Sequence, residues 1–287
     1  MNTGYAPYRF TNTTTFVMGN RKNAGKTTFM NWVLSSIRRL ESPAFATIGV
    51  DGEQHDQIDG RAKPQVKCEP GDGVVSSYPM LQKSNALFRI EKAFPIKTPL
   101  GQLVAATTLR AGTLELVGPE HNDQLPLITG FLKHELGYSS LVIDGAASRL
   151  TPVGALSDSG FCYVLNIDRR NLKKALELMQ LLAFGAALKT ATAGEEVHSI
   201  EGALTAARLH TLPSGCKAIE VNNLTSLFLS YAQLQSLTSN TILRVRHPLE
   251  LRAFVIILKD ITEAEFEQLY RSKGINTPLI HNPYVHS

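Results

Sequence analysis

Residues 19–28 read GNRKNAGKTT and stand between a short apolar run and a segment with helical periodicity. The apolar run, 14–18, favours a buried strand. The segment 26–40 carries apolar residues three and four positions apart, which is the spacing of one helix face. A strand, a glycine-containing loop and a helix in this order predict a P-loop, in which backbone N–H groups and the positive helix end surround phosphates.

The loop matches the Gly-x-x-x-x-Gly-Lys-Ser/Thr pattern in its second half. Gly25, Lys26 and Thr27 fit, whereas Asn20 holds the position of the first glycine and Gly19 precedes it by one residue. Asn tolerates left-handed backbone conformations better than most residues, so the loop can still close. The alternative is a glycine-containing helix start with no ligand. We predict these nucleotide-binding residues: Gly19, Asn20, Lys22, Asn23, Ala24, Gly25, Lys26, Thr27 and Thr28.

Two aspartates follow apolar runs at positions suited to a metal ion. A P-loop needs a carboxylate at a neighbouring strand end to hold Mg²⁺ beside the loop hydroxyl. Asp144 ends the run SLVID, and Asp51 ends ATIGVD. Each Asp-Gly pair could instead be an ordinary turn. We predict Thr27, Asp51 and Asp144 as metal ligands.

An acidic stretch, DGEQHDQID, continues from Asp51. Glu53 and Asp56 lie where a water-positioning residue or a nucleotide-sensing switch would emerge beside the phosphates, although a solvated loop has the same composition. The predicted catalytic set is therefore Lys26, Asp51, Glu53 and Asp144.

Short apolar runs alternate with helical patterns along most of the chain, which predicts an α/β fold with a mostly parallel central sheet covered by helices on both faces. We expect a three-layer P-loop NTPase and a single domain over 1–287. Segment 1–12 would form an N-terminal arm, and 150–287 would complete the sheet. Pro- and Gly-separated runs in 64–118 indicate a β-hairpin elaboration.

Composition narrows the classes of partner. The formal charge of +4 comes from scattered residues, without the interleaved aromatics of a stacking platform, so nucleic acid is not expected as a partner. The three cysteines are far apart and lack metal-ligand spacing. With no signal peptide and no apolar run long enough to span a bilayer, we expect a cytoplasmic protein with no membrane partner.

Several segments together resemble the P-loop subunit, of KamB type, of the lysine 5,6-aminomutase reactivases. The resemblance covers about residues 14–281, and KNAGKTT, IGVDGE and IDGAASR are its most specific parts. The segment 241–287 is similar only loosely. The blocks are GNRKNAGKTT, ATIGVDGEQHDQIDG followed by KPQV, KTPLGQLV, LELVGPE, SSLVIDGAASR, EGALTAARL and LFLSY.

The resemblance implies an ATP-driven helper protein that acts, with a MutS-like ATPase subunit, on an adenosylcobalamin-dependent aminomutase whose cofactor is damaged. It implies that Lys26 and Thr27 bind phosphate and Mg²⁺. By the same analogy, Asp51 and Glu53 form a second-strand acidic element, and Asp144 and Arg149 belong to the Walker B region.

Two other functions fit the same fold, because architecture alone does not select a function. One is a small-molecule kinase or ATP-dependent ligase similar to dethiobiotin synthetase. The other is a nucleotide-binding adaptor similar to the molybdopterin-guanine dinucleotide assembly protein. The sequence does not distinguish ATP from GTP.

Overall fold

The computed structural model describes residues 7–20, 24–49, 65–145, 152–156, 159–213 and 215–281. The chain divides into two compact units, one of residues 1–164 with 280–287 and one of residues 165–279. The predictions for Lys22, Asn23, Asp51, Glu53, Asp56 and Arg149 lie outside the described residues. Among the described helices, none combines the length and apolar character needed to cross a lipid bilayer.

The strands and helices are numbered in chain order. The strands are β1 Thr14–Gly19, β2 Ala44–Thr47, β3 Val66–Cys68, β4 Gly73–Ser77, β5 Leu87–Thr98, β6 Gly101–Arg110, β7 Gly112–Leu114, β8 Leu141–Asp144, β9 Ser159–Ile167, β10 His198–Ser199, β11 Leu204–Thr205, β12 Ala218–Val221, β13 Leu227–Phe228, β14 Ile242–Val245, β15 Glu250–Leu258 and β16 Leu279–His281. The α-helices are α1 Lys26–Ile37, α2 Tyr78–Lys83, α3 Leu125–Gly130, α4 Leu172–Ala186, α5 Ala206–Leu209, α6 Tyr231–Thr238 and α7 Glu263–Ser272.

The main sheet is mostly parallel, as the alternation of strands and helices predicts. Its nine strands follow the order β16-β15-β9-β1-β8-β2-β4-β6-β5. β1 pairs in parallel with both β8 and β9, and β2 pairs in parallel with β8 and β4. Every residue of β1 is buried, which fits a strand covered on both faces. The structure is therefore α/β, with β1 in the interior of the sheet.

The region 65–118 is rich in antiparallel strands. β5 and β6 form a long hairpin, and β6 pairs antiparallel with β4. β3 and β7 form a separate antiparallel pair. The hairpin thus extends the parallel strands at one side of the main sheet.

Helix α1 is held at both ends by buried contacts. Near its start, the Phe29 and Trp32 rings stack with centroids 5.5 Å apart, and Phe10 meets each ring edge-on. Just past its end, the Arg38 guanidinium donates two hydrogen bonds to the Asp72 carboxylate, at 3.1 and 2.6 Å. Asp72 is almost completely buried, so these bonds compensate its desolvation.

The second unit contains smaller sheets of its own. β10, β12 and β14 form a parallel sheet, and β11 pairs in parallel with β13. Of the described strands after residue 150, β9, β15 and β16 belong to the main sheet. Ion pairs link Arg244 to Glu195, and Arg246 to Glu201 and Glu220.

Some elements differ from the sequence-based expectation in length and type. The sequence predicts a helix over 123–136. The structure instead has a 3₁₀ turn, the short helix α3 and a π-helical turn, Phe131–Glu135. The Phe131 ring packs edge-on against Phe94 of the hairpin, with centroids 5.8 Å apart. The irregular helical turn thus contacts a residue far away in the chain, and the periodicity of 123–136 does not indicate this contact.

Candidate functional site

The candidate site begins where β1 ends. Gly19 is the last residue of β1 and pairs with Val164 of β9. Asn20 follows Gly19, and α1 begins at Lys26 after Gly25. The structure therefore has the predicted strand before this segment and the predicted helix after it, and the Lys26 side chain at the helix start lies near Gly19 at the strand end.

Gly25 sets the backbone geometry at the start of α1. Its φ of 89° and ψ of 14° are left-handed, a conformation that glycine adopts without the steric penalty of a side chain. The Phe29 N–H donates to the Gly25 carbonyl at 3.0 Å and closes the first helical turn. The first N–H groups of a helix lack intrahelical acceptors, and Gly25 has no side chain to cap them. This helix end is therefore suited to an anion.

The Lys26 side chain lies back against the end of β1. Its Cγ and Cδ atoms are each 3.2 Å from the position that a Cβ atom on Gly19 would take, and the Val164 carbonyl oxygen is 3.1 Å from the same position. A larger residue at 19 would displace the lysine stem. Gly19 thus allows the Lys26 side chain to lie against the end of β1, although Asn20 holds the first glycine position of the pattern.

Asp144 lies at the end of β8, between β1 and β2. It pairs with Val17 on one side and with Thr47 on the other. Its carbonyl accepts hydrogen bonds from the Ile48 N–H at 2.9 Å and the Thr47 hydroxyl at 3.1 Å. Because the strands are parallel, their carboxyl ends meet at one edge of the sheet. The structure thus brings Asp144 to the strand adjacent to the predicted phosphate loop.

The remaining predicted residues differ in exposure. Ala24 is buried, Thr27 is half-buried and Thr28 is exposed. The Asn20 Oδ1 atom is buried and accepts no hydrogen bond from the described residues.

β2 ends at Thr47, so the predicted acidic element at 51–53 comes four to six residues after the strand that flanks Asp144.

A segment that the sequence did not assign to the site lies against the end of β2. The Gly49 N–H donates to the Pro119 carbonyl at 2.8 Å. A Cβ atom on Gly118 would be 1.9 Å from the Thr47 carbonyl oxygen, so only glycine permits this approach. The sequence signal was the pair Gly118 and Pro119 after an apolar run, which resembles any turn.

The side chains present fit a nucleotide with a divalent ion. Hydroxyl and carboxylate oxygens, as in Thr27 and Asp144, are the ligands that Mg²⁺ takes in such sites. Lys26 supplies a positive charge beside the helix start, where phosphate oxygens are favoured. Among the described residues, no group of three or more histidine, cysteine, aspartate or glutamate side chains forms an all-protein metal site. Thr27 and Asp144 would therefore supply only part of the ligands of a metal ion, and the phosphate oxygens of a nucleotide would supply others.

Comparison of the chain with protein-family models, with curated proteins and with solved structures finds no match. The geometry of the strand ends and the resemblance of the sequence blocks are therefore what indicates a function for this chain.

Proposed function

We propose that the chain is a P-loop NTPase that binds ATP, or alternatively GTP, with Mg²⁺ at the carboxyl ends of β1, β8 and β2. We further propose that it acts as a nucleotide-dependent reactivating chaperone for an adenosylcobalamin-dependent aminomutase, with a MutS-like ATPase partner. The first proposal stands on the strand-end geometry, and the second on the sequence resemblance.

One observation carries the nucleotide-binding proposal. Lys26 directly follows the left-handed Gly25, and its side chain lies against Gly19 at the end of β1. Asp144 ends the adjacent strand, β8. A helix start without a ligand would explain Gly25 alone. It would not explain the folded-back lysine together with the carboxylate on the next strand.

Each residue has a separate proposed role. Lys26 binds the terminal phosphates, and the N–H groups at the start of α1 surround them. Thr27 and Asp144 hold the ion, with Asp51 as the further predicted ligand. The bound ion would neutralise phosphate charge. Glu53 would position water or sense the γ-phosphate.

A reactivating role requires mechanical work and no second covalent site. A loop ordered by the γ-phosphate and released after hydrolysis can change the affinity of a docking surface for its client. The proposed switch is the acidic element that contains Asp51 and Glu53. Its position in sequence, four to six residues after the end of β2, supports this assignment.

The nucleotide proposal is tested by thermal unfolding with and without MgATP. A ligand at a hundredfold excess over Kd stabilises the native state by about 2.7 kcal/mol, which raises the Tm by several degrees. We expect Lys26→Ala to abolish this rise and Asp144→Asn to remove its Mg²⁺ dependence. Lys83→Ala, which removes an exposed lysine from α2, is the matched control and should retain the full rise. Full stabilisation of Lys26→Ala would refute the phosphate-loop assignment.

The client proposal is tested by ATP turnover. We expect slow hydrolysis by the chain alone and faster hydrolysis when an inactivated cobalamin-dependent aminomutase and its MutS-like partner are added. Stimulation by a small carboxylate or amine acceptor alone would favour the kinase or ligase. Nucleotide binding without stimulation by either would favour the adaptor.

A further inference from the structure

The peptide group between Asp144 and Gly145 is held from both sides at the carboxyl edge of the main sheet. Its carbonyl accepts a hydrogen bond from the Ile48 N–H at 2.9 Å, and its N–H donates to the Val17 carbonyl at 3.0 Å. The first bond joins it to the chain that leaves β2, and the second joins it to β1. The backbone that carries the Asp144 side chain is therefore fixed between two neighbouring strands.

Thr47 adds a third bond to the same peptide group. Its hydroxyl donates to the Asp144 carbonyl at 3.1 Å, and Thr47 is 7% exposed. The Ile48 N–H already gives this carbonyl the backbone partner that a buried strand requires. A carbonyl oxygen has two lone pairs, and here the second one accepts from the side chain. The hydroxyl therefore restrains the peptide group beyond what the strand pairing alone provides.

Gly118 packs against the backbone of Thr47 and braces it. A Cβ atom on Gly118 would lie 1.9 Å from the Thr47 carbonyl oxygen and 2.5 Å from the carbonyl carbon. Because these are backbone atoms in a packed interior, a side chain at 118 would displace the Thr47 carbonyl group. The next residue, Pro119, accepts the Gly49 N–H at 2.8 Å. Gly118 and Pro119 thus hold the end of β2, from which Thr47 reaches Asp144.

We propose that Thr47 is a positioning residue of the proposed nucleotide site. By fixing the Asp144 backbone, its hydroxyl keeps the Asp144 carboxylate preorganised for the divalent ion. Hydrogen-bond partners behind a metal ligand commonly determine how tightly the metal binds. The inference rests on the proposed function, because Thr47 has this role only where Asp144 binds an ion that accompanies the nucleotide. Lys26 lies on another element, so phosphate binding without the ion should not depend on Thr47.

The experiment compares nucleotide binding with and without the ion. Isothermal titration calorimetry gives the Kd of the β,γ-imido analogue of ATP, which resists hydrolysis, in excess Mg²⁺ and in EDTA. The Kd in EDTA divided by the Kd in Mg²⁺ measures what the ion adds, and we expect clearly tighter binding in Mg²⁺ for the unaltered chain. Thr47→Val removes the hydroxyl with little change of shape. It should lower this ratio roughly tenfold and leave the Kd in EDTA unchanged.

Thr129→Val is the matched control. Thr129 is 5% exposed, and its hydroxyl donates to the Leu125 carbonyl at 2.9 Å within α3. Both valine variants therefore lose a buried bond from a hydroxyl to a backbone carbonyl, but Thr129→Val should keep the original Kd ratio. Thr47→Ser retains the hydroxyl and should keep the ratio within about threefold of the original.

Gly118→Ala tests the brace without changing the Thr47 side chain. The added Cβ should displace the end of β2, and so lower the same Kd ratio. Without nucleotide, it should also speed deuterium exchange at the Ile48 and Gly49 amides, followed by NMR. Gly130→Ala is the control, because a Cβ on Gly130 would meet no other described part of the chain within 4 Å outside its own helix. It should leave both amides and the ratio unchanged.

The outcomes separate this inference from the nucleotide proposal. A lowered ratio in Thr47→Val, with Thr47→Ser and Thr129→Val close to the unaltered chain, supports the positioning role. An unchanged ratio in Thr47→Val would overturn that role and leave the nucleotide site intact. Equal losses of affinity in Mg²⁺ and EDTA would also overturn it, because a general structural effect changes both. An unaltered chain that binds the analogue no better in Mg²⁺ than in EDTA would refute the ion site itself, and the role of Thr47 with it.

Discussion

Cys68 and Cys216 differ in environment and therefore in expected reactivity. Burial raises the pKa of the Cys68 thiol to about 12, and Cys162 is also fully buried. Cys216 is half-buried. Because the thiolate is the reactive form, a buried thiol with a raised pKa reacts slowly even with small reagents.

We predict that one thiol in the native chain reacts with Ellman's reagent, and that the other two react more than about hundredfold more slowly until the chain unfolds. Cys216→Ser should remove the fast phase, and Cys68→Ser should leave it. Rapid reaction of two or three thiols in the native protein would contradict the burial of Cys68 and Cys162.

At the same scale, the sequence predicts individual site residues by type and spacing. Their places at element ends could be predicted from local pattern: Gly25 and Lys26 lie at the start of α1, and Asp144 lies at the end of β8. Their roles as site residues stay predictions. The contact of Lys26 with Gly19 could not be predicted, since it depends on where the loop folds relative to β1. Gly118 was also missed, because its contact with Thr47 joins residues far apart in the chain.

Helix α1 depends on aromatic packing near its first turn. The Phe29 side chain is fully buried and contacts both Phe10 and Trp32. Truncation of a buried phenylalanine leaves a cavity as well as losing transfer free energy. The cost should therefore exceed that of an alanine substitution on the exposed face of the same helix.

We predict that Phe29→Ala lowers the free energy of unfolding by about 3–5 kcal/mol, measured by urea denaturation. Phe29→Leu should cost less, because it keeps more of the buried volume. Ser35→Ala, on the exposed face, should change stability by no more than about 0.5 kcal/mol. A stability of Phe29→Ala equal to that of Ser35→Ala would contradict the packing.

Elements with clear apolar periodicity were predictable, and their ends were less so. The prediction of a helix over 26–40 is confirmed by α1, which ends three residues earlier, at Ile37. The run AFATIGV predicts a strand over 44–50, and the described strand β2 ends at Thr47. Periodicity did not indicate which strands pair with each other. β12 pairs with β10 and β14 in a separate sheet, whereas β15 and β16 belong to the main sheet.

For the molecule as a whole, the Glu195 carboxylate of the second unit makes the free energy of unfolding depend on pH. The Arg244 guanidinium, with hydrogen bonds from Thr192, lowers the pKa of Glu195 from 4.5 to about 2. The folded pKa is below the unfolded one, so this contribution is present above pH 4.5 and is lost as pH falls toward 2.

We predict that Glu195→Gln is less stable than the unaltered chain at pH 7 and that its stability falls less steeply as pH falls from 4.5 to 2. Thermal unfolding followed by circular dichroism at a series of pH values measures both. Glu196→Gln, which changes the exposed neighbour, is the control and should follow the unaltered chain. Equal pH dependence in all three proteins would remove Glu195 from this role.

The chain has one tryptophan, Trp32, half-buried six residues after Lys26 and stacked on Phe29. Indole emission responds to small changes in its surroundings, and no second indole in this chain obscures the signal. The protein consequently carries an intrinsic fluorescent reporter on α1, the helix that follows the proposed phosphate loop. Nucleotide titrations can therefore be followed on the unlabelled protein.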